Sequence, residues 1–366
     1  MELNYTDAQQ SLRQALQANL PEAGSSGGRD RAIWGSLREL GGILGAGLPS
    51  QVGGTGGPVE IMIVMEELGA ALLADAYLET IVVAGKLLAQ SPEARFDNLL
   101  ALMAAGDALV ALAWANHGQG HRADDSLVAT IANAGWRLNG RRLMVVGAAT
   151  AKYWLVEARA PDTGDGTHEA LLFLIKPDVA GISQFEYPTI DGRSASDLRF
   201  EEVLVGADQL IAQPEATKAL VQSATDAAIA AHCAEAVGVM RKMLADTLLH
   251  CKERRQFGQP LSAFQALQHR MTDMHLHIEL AAAATLRATL SLDLPPPERA
   301  RATSAAKVTV SSACRFVGQN AVQLFGGLGM NETTPVNRYF RRATAMESEF
   351  GGVDWHLARF ASYEQA

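Results

Sequence analysis

Twice along this chain the spacing of apolar residues changes, and those two changes constrain the fold more than any single motif. Up to about Gly106, apolar residues recur three and four positions apart, as in DAQQSLRQALQANL, RAIWGSLRELGGILG and VEIMIVMEELGAALLADAYLETIVVAGKLLA. That is the spacing of helices that bury one face, broken by the turn-forming clusters PEAGSSGG and LPSQVGGTGGP. From about Asp107 to Gly206 the runs shorten to ALVALAWAN, SLVATIA, WRLNGRRLMVVGA, KYWLVEAR, EALLFLIK and DLRFEEVLV. Short apolar or alternating runs between turn residues predict an antiparallel β region, and Asn139-Gly140 reads as a hairpin dipeptide within it. After GADQLIAQP the helical spacing returns and persists, with a stop and restart at the prolines of LDLPPPERA. There is no βαβ alternation. The order predicts an α+β multidomain chain: an N-terminal α-helical domain over residues 1–106, a middle antiparallel β domain over 107–208, and a C-terminal four-helix-bundle-like domain over 209–366.

Composition narrows the function. A chain of 366 residues with 48% hydrophobic residues suits two or three packed units, and the net charge of −9 argues against a nucleic-acid surface. Cys233, Cys251 and Cys314 are few and far apart, which predicts reduced thiols in a cytoplasmic protein and no disulfide framework or zinc site. The histidines of HLH, His275 and His277, point to different sides of a helix and make a poor metal pair. The opening MELNYTDAQQSLRQAL has no apolar core, and no run of about twenty apolar residues follows, so neither a secretory signal nor a membrane span is expected. GGILGAG has the glycines of a dinucleotide loop, but no strand precedes it and no capped helix follows.

Four segments, in order and spanning nearly the whole chain, resemble the acyl-CoA dehydrogenase family. They are WGSLRELGGILGAGLPSQVGGTGGPVEIMIVMEELG, LRFEEVLVGADQLIA, CKERRQFGQPLSAFQALQHRMTDM and AVQLFGGLGMNETTPVNRYFRRA. The third is the most specific. Read physically, Arg254 offers a planar guanidinium for bidentate phosphate contact and Arg255 a second charge. Phe257 offers a flat apolar surface, Gly258 a turn, Gln323 amide hydrogen bonds, and Gly326 and Gly327 close backbone approach. The resemblance implies FAD as cofactor, contacted by Arg254, Gln256, Phe257, Gln265, Gln323, Gly326 and Gly327, and in this family those residues reach the nucleotide of a neighbouring subunit.

The family's reaction takes an α-proton from an acyl-CoA thioester while a hydride passes to the flavin, which requires a carboxylate held in near-attack geometry. Most members keep a Glu followed by Gly for this. Counting from Arg341-Arg342-Ala343 places that address at Phe350, before Gly351-Gly352, with Glu349 one residue early and Glu347 earlier still. A minority place the base in the long preceding helix, which here falls on Ala228, followed by Ile229 where the family usually has Arg; Asp226 is two residues off. The flavin-facing stretch AWANHGQGHRADD keeps Gly118 and Gly120 but lacks the family's Thr, Pro and Ser-Asp, and LMVVGAAT replaces a Trp/Ile/Thr/Asn-rich segment.

The leading expectation is therefore an acyl-CoA dehydrogenase subunit of the α2β2 kind that acts on steroid side-chain thioesters. It would lack a catalytic residue of its own, grip FAD across the interface and pair with a related base-bearing chain. An acyl-CoA substrate and electron-transfer flavoprotein as acceptor follow from the same resemblance. Two other readings stay open at this point. One is a self-sufficient homo-oligomer with Glu349, or next Glu347, as a displaced base; the other is a non-dehydrogenase, binding or scaffold member of the fold.

Overall fold

The computed structural model describes residues 5–21, 34–35, 37–40, 42–73, 76–91, 95–114, 126–132, 135–160, 169–212 and 214–363. They group into two compact units, one of Met1–Arg29, Pro58–Ala74 and Asp226–Ala366, the other of Asp30–Gly57 and Asp75–Thr225.

The first unit is helical. It holds α1 (Asp7–Asn19), α2 (Pro58–Ala71), α5 (Pro214–Glu253) from Asp226 onward, α6 (Gln265–Leu290), α7 (Pro296–Phe325), α8 (Pro335–Met346) and α9 (Val353–Ser362). Thr6 starts α1 with a reciprocal capping box: its hydroxyl accepts from Gln9 N–H, and the Gln9 side chain accepts from Thr6 N–H. Such a cap is worth about 1 kcal/mol. Leu16 of α1 is fully buried, and Arg13 donates to Glu66 on α2 at 2.6 Å, with Arg241 of α5 on the same carboxylate at 2.8 Å. Helices α2 and α5 approach so closely that a Cβ at Gly238 would lie 1.9 Å from the Glu66 carbonyl oxygen. Only glycine permits that crossing. Prolines begin α7 and α8, where the missing N–H removes no helical bond.

The second unit carries α3 (Gly85–Ala89), α4 (Asp97–Ala104) and a sheet in the order β6-β7-β3-β2-β4-β5-β8. Its strands are β1 (Val110–Ala113), β2 (Leu127–Ala132), β3 (Gly135–Val146), β4 (Tyr153–Arg159), β5 (Ala170–Ile175), β6 (Ile182–Pro188), β7 (Ser194–Gly206) and β8 (Leu210–Ala212). Most pairings are antiparallel, as the alternation predicts, but β1 runs parallel beside β4, and β2 also touches β4 in parallel. The core under the sheet is built from Leu127, Leu138, Trp154, Phe173, Leu198 and Phe200, with Trp136 edge-on to Phe173 at 6.1 Å. Each such side chain contributes about 1.5–3 kcal/mol by burial.

Three local features depart from what the apolar runs indicate. Asn139-Gly140 is not a hairpin turn; it lies inside β3 at a register shift against β7. Gly140 has φ +129°, a Cβ there would meet Ser126 O at 2.0 Å, and the Asn139 side chain bonds both Glu202 N–H and the Glu202 carboxylate. The glycine serves a β-bulge. The helical spacing of VEIMIVMEELGAALLADAYLETIVVAGKLLA is not carried by one continuous α-helix: α2 ends at Ala71 and a π-helix runs over Leu78–Ala84, with Leu72 and Ala76 at positive φ. Strand β6 has no alternating run to reveal it, because as the sheet's edge it is largely exposed.

GGILGAG forms a short 3-10 turn over Ile43–Gly45, not a nucleotide loop opening a long helix. Gly118 and Gly120 lie outside the described residues. Among the described residues no helix is long and apolar enough to cross a membrane, and no cluster of His, Cys, Asp and Glu side chains could hold a metal ion.

Candidate functional site

At the end of α5 the chain leaves the helix through Arg254, whose N–H donates to His250 O at 2.8 Å and whose carbonyl accepts from Leu261 N–H at 2.8 Å. Between these bonds sits a two-residue hairpin, β9 (Arg255–Gln256) against β10 (Gln259–Pro260), turned by Phe257 at φ +54° and Gly258 at φ +83°. Two successive positive φ values are the I′ turn that suits tight hairpins. Glycine adopts that geometry freely. An aromatic residue there stores about 1–2 kcal/mol of backbone strain. Phe257 is also 90% exposed. A strained, exposed aromatic ring at a hairpin tip contributes little to this chain's own packing and is available to a ligand or another chain.

The other predicted residues lie at the same corner of the helical unit. Phe257 meets Phe264 edge-on at 6.2 Å, and Gln265 is the first residue of α6 immediately beyond. Phe325, the last residue of α7, stacks on His250 of α5 with ring centroids 4.2 Å apart and planes 14° apart. That stack joins the Arg254 hairpin to the segment after α7, where Gly326 turns at φ +62° and a 3-10 turn runs over Gly326–Met330. Gln323 sits one turn earlier and is exposed, as are Gly326 and Gly327. Cβ atoms at Gly258, Gly326 or Gly327 would meet nothing within 4 Å, so the backbone there is open to close approach, while the Gly326 N–H itself closes α7 by donating to Gln323 O. The side chains of Arg254, Gln256, Gln265 and Gln323 make no hydrogen bond or ion pair among the described residues. An uncommitted guanidinium, three amides, open glycine backbone and an aromatic face make a donor set for an anionic ligand with flat rings.

The base address has a different character. After α8 the chain turns through Phe350 at φ +55° and Gly351 at φ +104°. This reversal is held on both sides. The buried Lys307 ammonium donates to Met346 O at 2.6 Å and Glu347 O at 3.4 Å, capping the end of α8. His356 lies 3.0 Å from Phe350 O through Nε2 and 3.2 Å from the Ser304 hydroxyl through Nδ1, an arrangement in which neutral Nε2–H donates to the carbonyl. Burial lowers His356 to about 3 and lowers Lys307 from its ordinary range. The Phe350 ring packs edge-on against His232, centroids 5.3 Å apart.

Each carboxylate near either base address is already engaged. Glu349 accepts from Arg342 at 2.9 Å, and the same guanidinium holds Glu235 bidentately at 2.6 and 3.0 Å. Burial alone would raise the Glu235 carboxyl, but the Arg342 charge and its hydrogen bonds, with His232 3.6 Å away, outweigh it and hold the group well below the usual carboxylate range. Glu347 is clasped by both Nε and Nη2 of Arg315. Asp226 is fully buried and accepts from Arg299 at 2.9 Å, Arg359 at 2.5 Å and Thr303 at 2.9 Å, while Ala228 next to it has nothing to offer a proton. The sequence reading did not find this network. Its one trace in the sequence is that His232, Glu235 and Lys307 interrupt apolar stretches that are buried in α5 and α7; the spacing does not say which partners they meet.

Comparison with known proteins agrees with the architecture. The acyl-CoA dehydrogenase N-terminal domain matches residues 5–107, and the acyl-CoA dehydrogenase C-terminal domain matches residues 219–361. The probable acyl-CoA dehydrogenase YngJ of Bacillus subtilis is 28% identical over 316 residues, covering 84% of this chain and 82% of that one. A chain of the ChsE4–ChsE5 complex from Mycobacterium tuberculosis superposes with a TM-score of 0.86 at 25% identity, covering 100% of this chain and 99% of that one. A variant of the Tcur3481–Tcur3483 steroid ACAD superposes with a TM-score of 0.83 at 26% identity, covering 98% and 96%. By the helical–β–helical architecture and by matches at both ends, this chain belongs to the acyl-CoA dehydrogenase family.

Proposed function

We propose that this chain is the non-base-bearing subunit of an FAD-dependent acyl-CoA dehydrogenase of the α2β2 kind. A related partner chain supplies the catalytic Glu and most of the flavin pocket. The observation that carries the reading is the contrast between two places in one helical unit. Phe350 stands at the base address, with Glu347 and Glu349 each bound to an arginine. At the other corner, Arg254, Gln256, Gln265 and Gln323 are exposed and uncommitted.

FAD, when bound, accepts the β-hydride of an acyl-CoA thioester. In this reading Arg254 would grip its diphosphate, Gly326 and Gly327 would let it approach the backbone closely, and Gln256, Gln265 and Gln323 would bond the sugar and base edges. Phe257 covers a flat face. These groups hold the nucleotide of the neighbouring chain and transfer no proton themselves. Residues 1–106, 107–208 and 209–366 act as the three functional domains. The substrate class is a CoA thioester of a steroid side chain, supported by the likeness to a steroid ACAD, and electron-transfer flavoprotein takes the electrons onward. The likeness to a chain of a two-component complex supports the pairing. So do the exposed apolar residues around the grip, Phe257, Leu328 and Met330.

Glu349 is a poor base in this arrangement. Abstracting a proton would neutralise it and strip Arg342 of half its compensation. The test is purification with and without a co-expressed related chain. The proposal expects a chain that holds stoichiometric FAD only in the two-chain assembly, with turnover unchanged by Glu349→Gln. A chain that is yellow alone and bleaches with an acyl-CoA overturns it.

A further inference from the structure

His250 takes no part in the proposed grip, yet it is the residue through which the two halves of that grip meet. It occupies the last turn of α5, its carbonyl receives the Arg254 N–H at 2.8 Å, and its ring lies flat on Phe325 at 4.2 Å and 14°. Phe325 is followed directly by Gly326, whose φ of +62° turns the chain out of α7. The residue's backbone carries the departure point of the guanidinium, and its ring ties that point, through Phe325, to the start of the glycine turn.

A diphosphate-bearing ligand makes this spacing matter. A guanidinium holds phosphate through two parallel bonds, and a bare glycine backbone lets the same ligand come close from another direction; both meet one group only if their origins are set in register. Neither the hairpin nor the glycine turn can set that register alone. Gly258 and Gly326 confer backbone freedom, and no packing atoms lie within 4 Å of where their Cβ atoms would be.

We infer that His250 is a positioning residue of the dinucleotide site, its ring stack with Phe325 locking the Arg254 hairpin and the Gly326–Gly327 turn at the spacing a diphosphate requires. The inference rests on the proposed assignment of that corner to FAD. Stacking needs a flat ring and little else, so tyrosine at 250 preserves the function while alanine or leucine loses it. Burial and the neighbouring Arg254 charge lower the imidazole from its ordinary value, against a smaller opposing pull from Glu253, so the ring is neutral at pH 7 and stacks as an uncharged plane.

The experiment follows FAD release from the flavin-loaded two-chain assembly by the recovery of flavin fluorescence after dilution. It compares wild type, His250→Ala, His250→Leu, His250→Tyr and Arg254→Ala, with flavin-free melting temperatures measured in parallel. Loss of an aromatic stack corresponds to roughly 3- to 10-fold faster release in His250→Ala and His250→Leu. His250→Tyr stays within about 2-fold of wild type, since the stack is kept. Flavin-free melting of the leucine and tyrosine variants is alike, which separates positioning from a loss of fold. If Arg254→Ala speeds release while His250→Ala and His250→Leu do not, the positioning role is wrong and the FAD assignment stands. Equal acceleration in His250→Tyr and His250→Leu also overturns it. If Arg254→Ala leaves release unchanged, or no assembly retains FAD, the assignment itself fails and the inference falls with it.

Discussion

Arg342→Leu removes a guanidinium that two enclosed carboxylates share. Its guanidinium binds Glu235 through Nε at 2.6 Å and Nη2 at 3.0 Å, and Glu349 through Nη1 at 2.9 Å, with the Glu235 side chain only 3% exposed. Deleting one partner of a buried pair costs about 3–5 kcal/mol, because the remaining charge stays desolvated. For a unit of this size that is a fall in melting temperature of roughly 6–20 °C. The pH dependence gives a sharper test than the size of the drop. In the wild type the Glu235 carboxyl is held below its ordinary 4.5, so it contributes stability above that pH that is lost as the pH falls through the folded value. In Arg342→Leu burial is less opposed and the folded carboxyl moves above 4.5. Its penalty is then full at neutral pH and fades as the solution is acidified. The gap between variant and wild type should therefore be full and flat at alkaline pH and narrow once the pH falls below the variant's raised folded value toward 4.5. Thermal melts across that range, with Arg342→Leu/Glu235→Gln as a partly recovered double variant, measure it. A deficit under about 1 kcal/mol, or one that does not change with pH, would refute the reasoning.

Three further outcomes are expected. Asp226→Ala leaves Arg299 and Arg359 facing each other without the carboxylate both now bind, and should destabilise the helical unit by about 3–5 kcal/mol. Limited proteolysis should then release α9 faster, and an unchanged cleavage rate would show that Arg359 does not hold it. Gly238→Ala drives a Cβ toward the Glu66 carbonyl and should lower stability by about 1–3 kcal/mol; a melt indistinguishable from wild type would contradict the 1.9 Å approach. Cys233 and Cys314 are buried, with thiols pushed up to about 12 by burial, so a thiol reagent should label them only in denaturant. Prompt labelling of the native protein would overturn that.

The helical–β–helical order was legible because helices and strands place apolar residues at different spacings, and a long, half-buried element cannot disguise which it uses. Elements without a buried stripe were not legible. Edge strand β6 exposes most of its residues, and the π-helix begins after Leu72 and Ala76, side chains that give no warning of positive φ. Gly140 was visible but ambiguous, since a hairpin turn and a β-bulge both use the same backbone freedom. At the site, the Arg254 and Gly326 segments were readable as local motifs, because each places its groups within a few residues. The charge network was not. Arg342 and Glu235 stand 107 residues apart, and no local pattern announces that a lysine or glutamate on an apolar stripe will find its partner there.

The Asp226 contacts bear on the order in which the chain can fold as it is made. Asp226 is buried, yet one of its two counter-charges, Arg359, lies 133 residues later, and Glu235 waits almost as long for Arg342. At about 5–20 residues per second, a ribosome takes roughly 7–27 seconds to bridge the first of those gaps. Throughout that interval α5 carries carboxylates that it cannot bury without severe desolvation. The unit that ends at Thr225 holds neither of these two carboxylates and can close before their partners are made. The helical unit is committed only when α8 and α9 arrive, so anything that stalls synthesis between residues 226 and 342 leaves a long apolar helix waiting in solution, a stage at which chaperones would be expected to engage it.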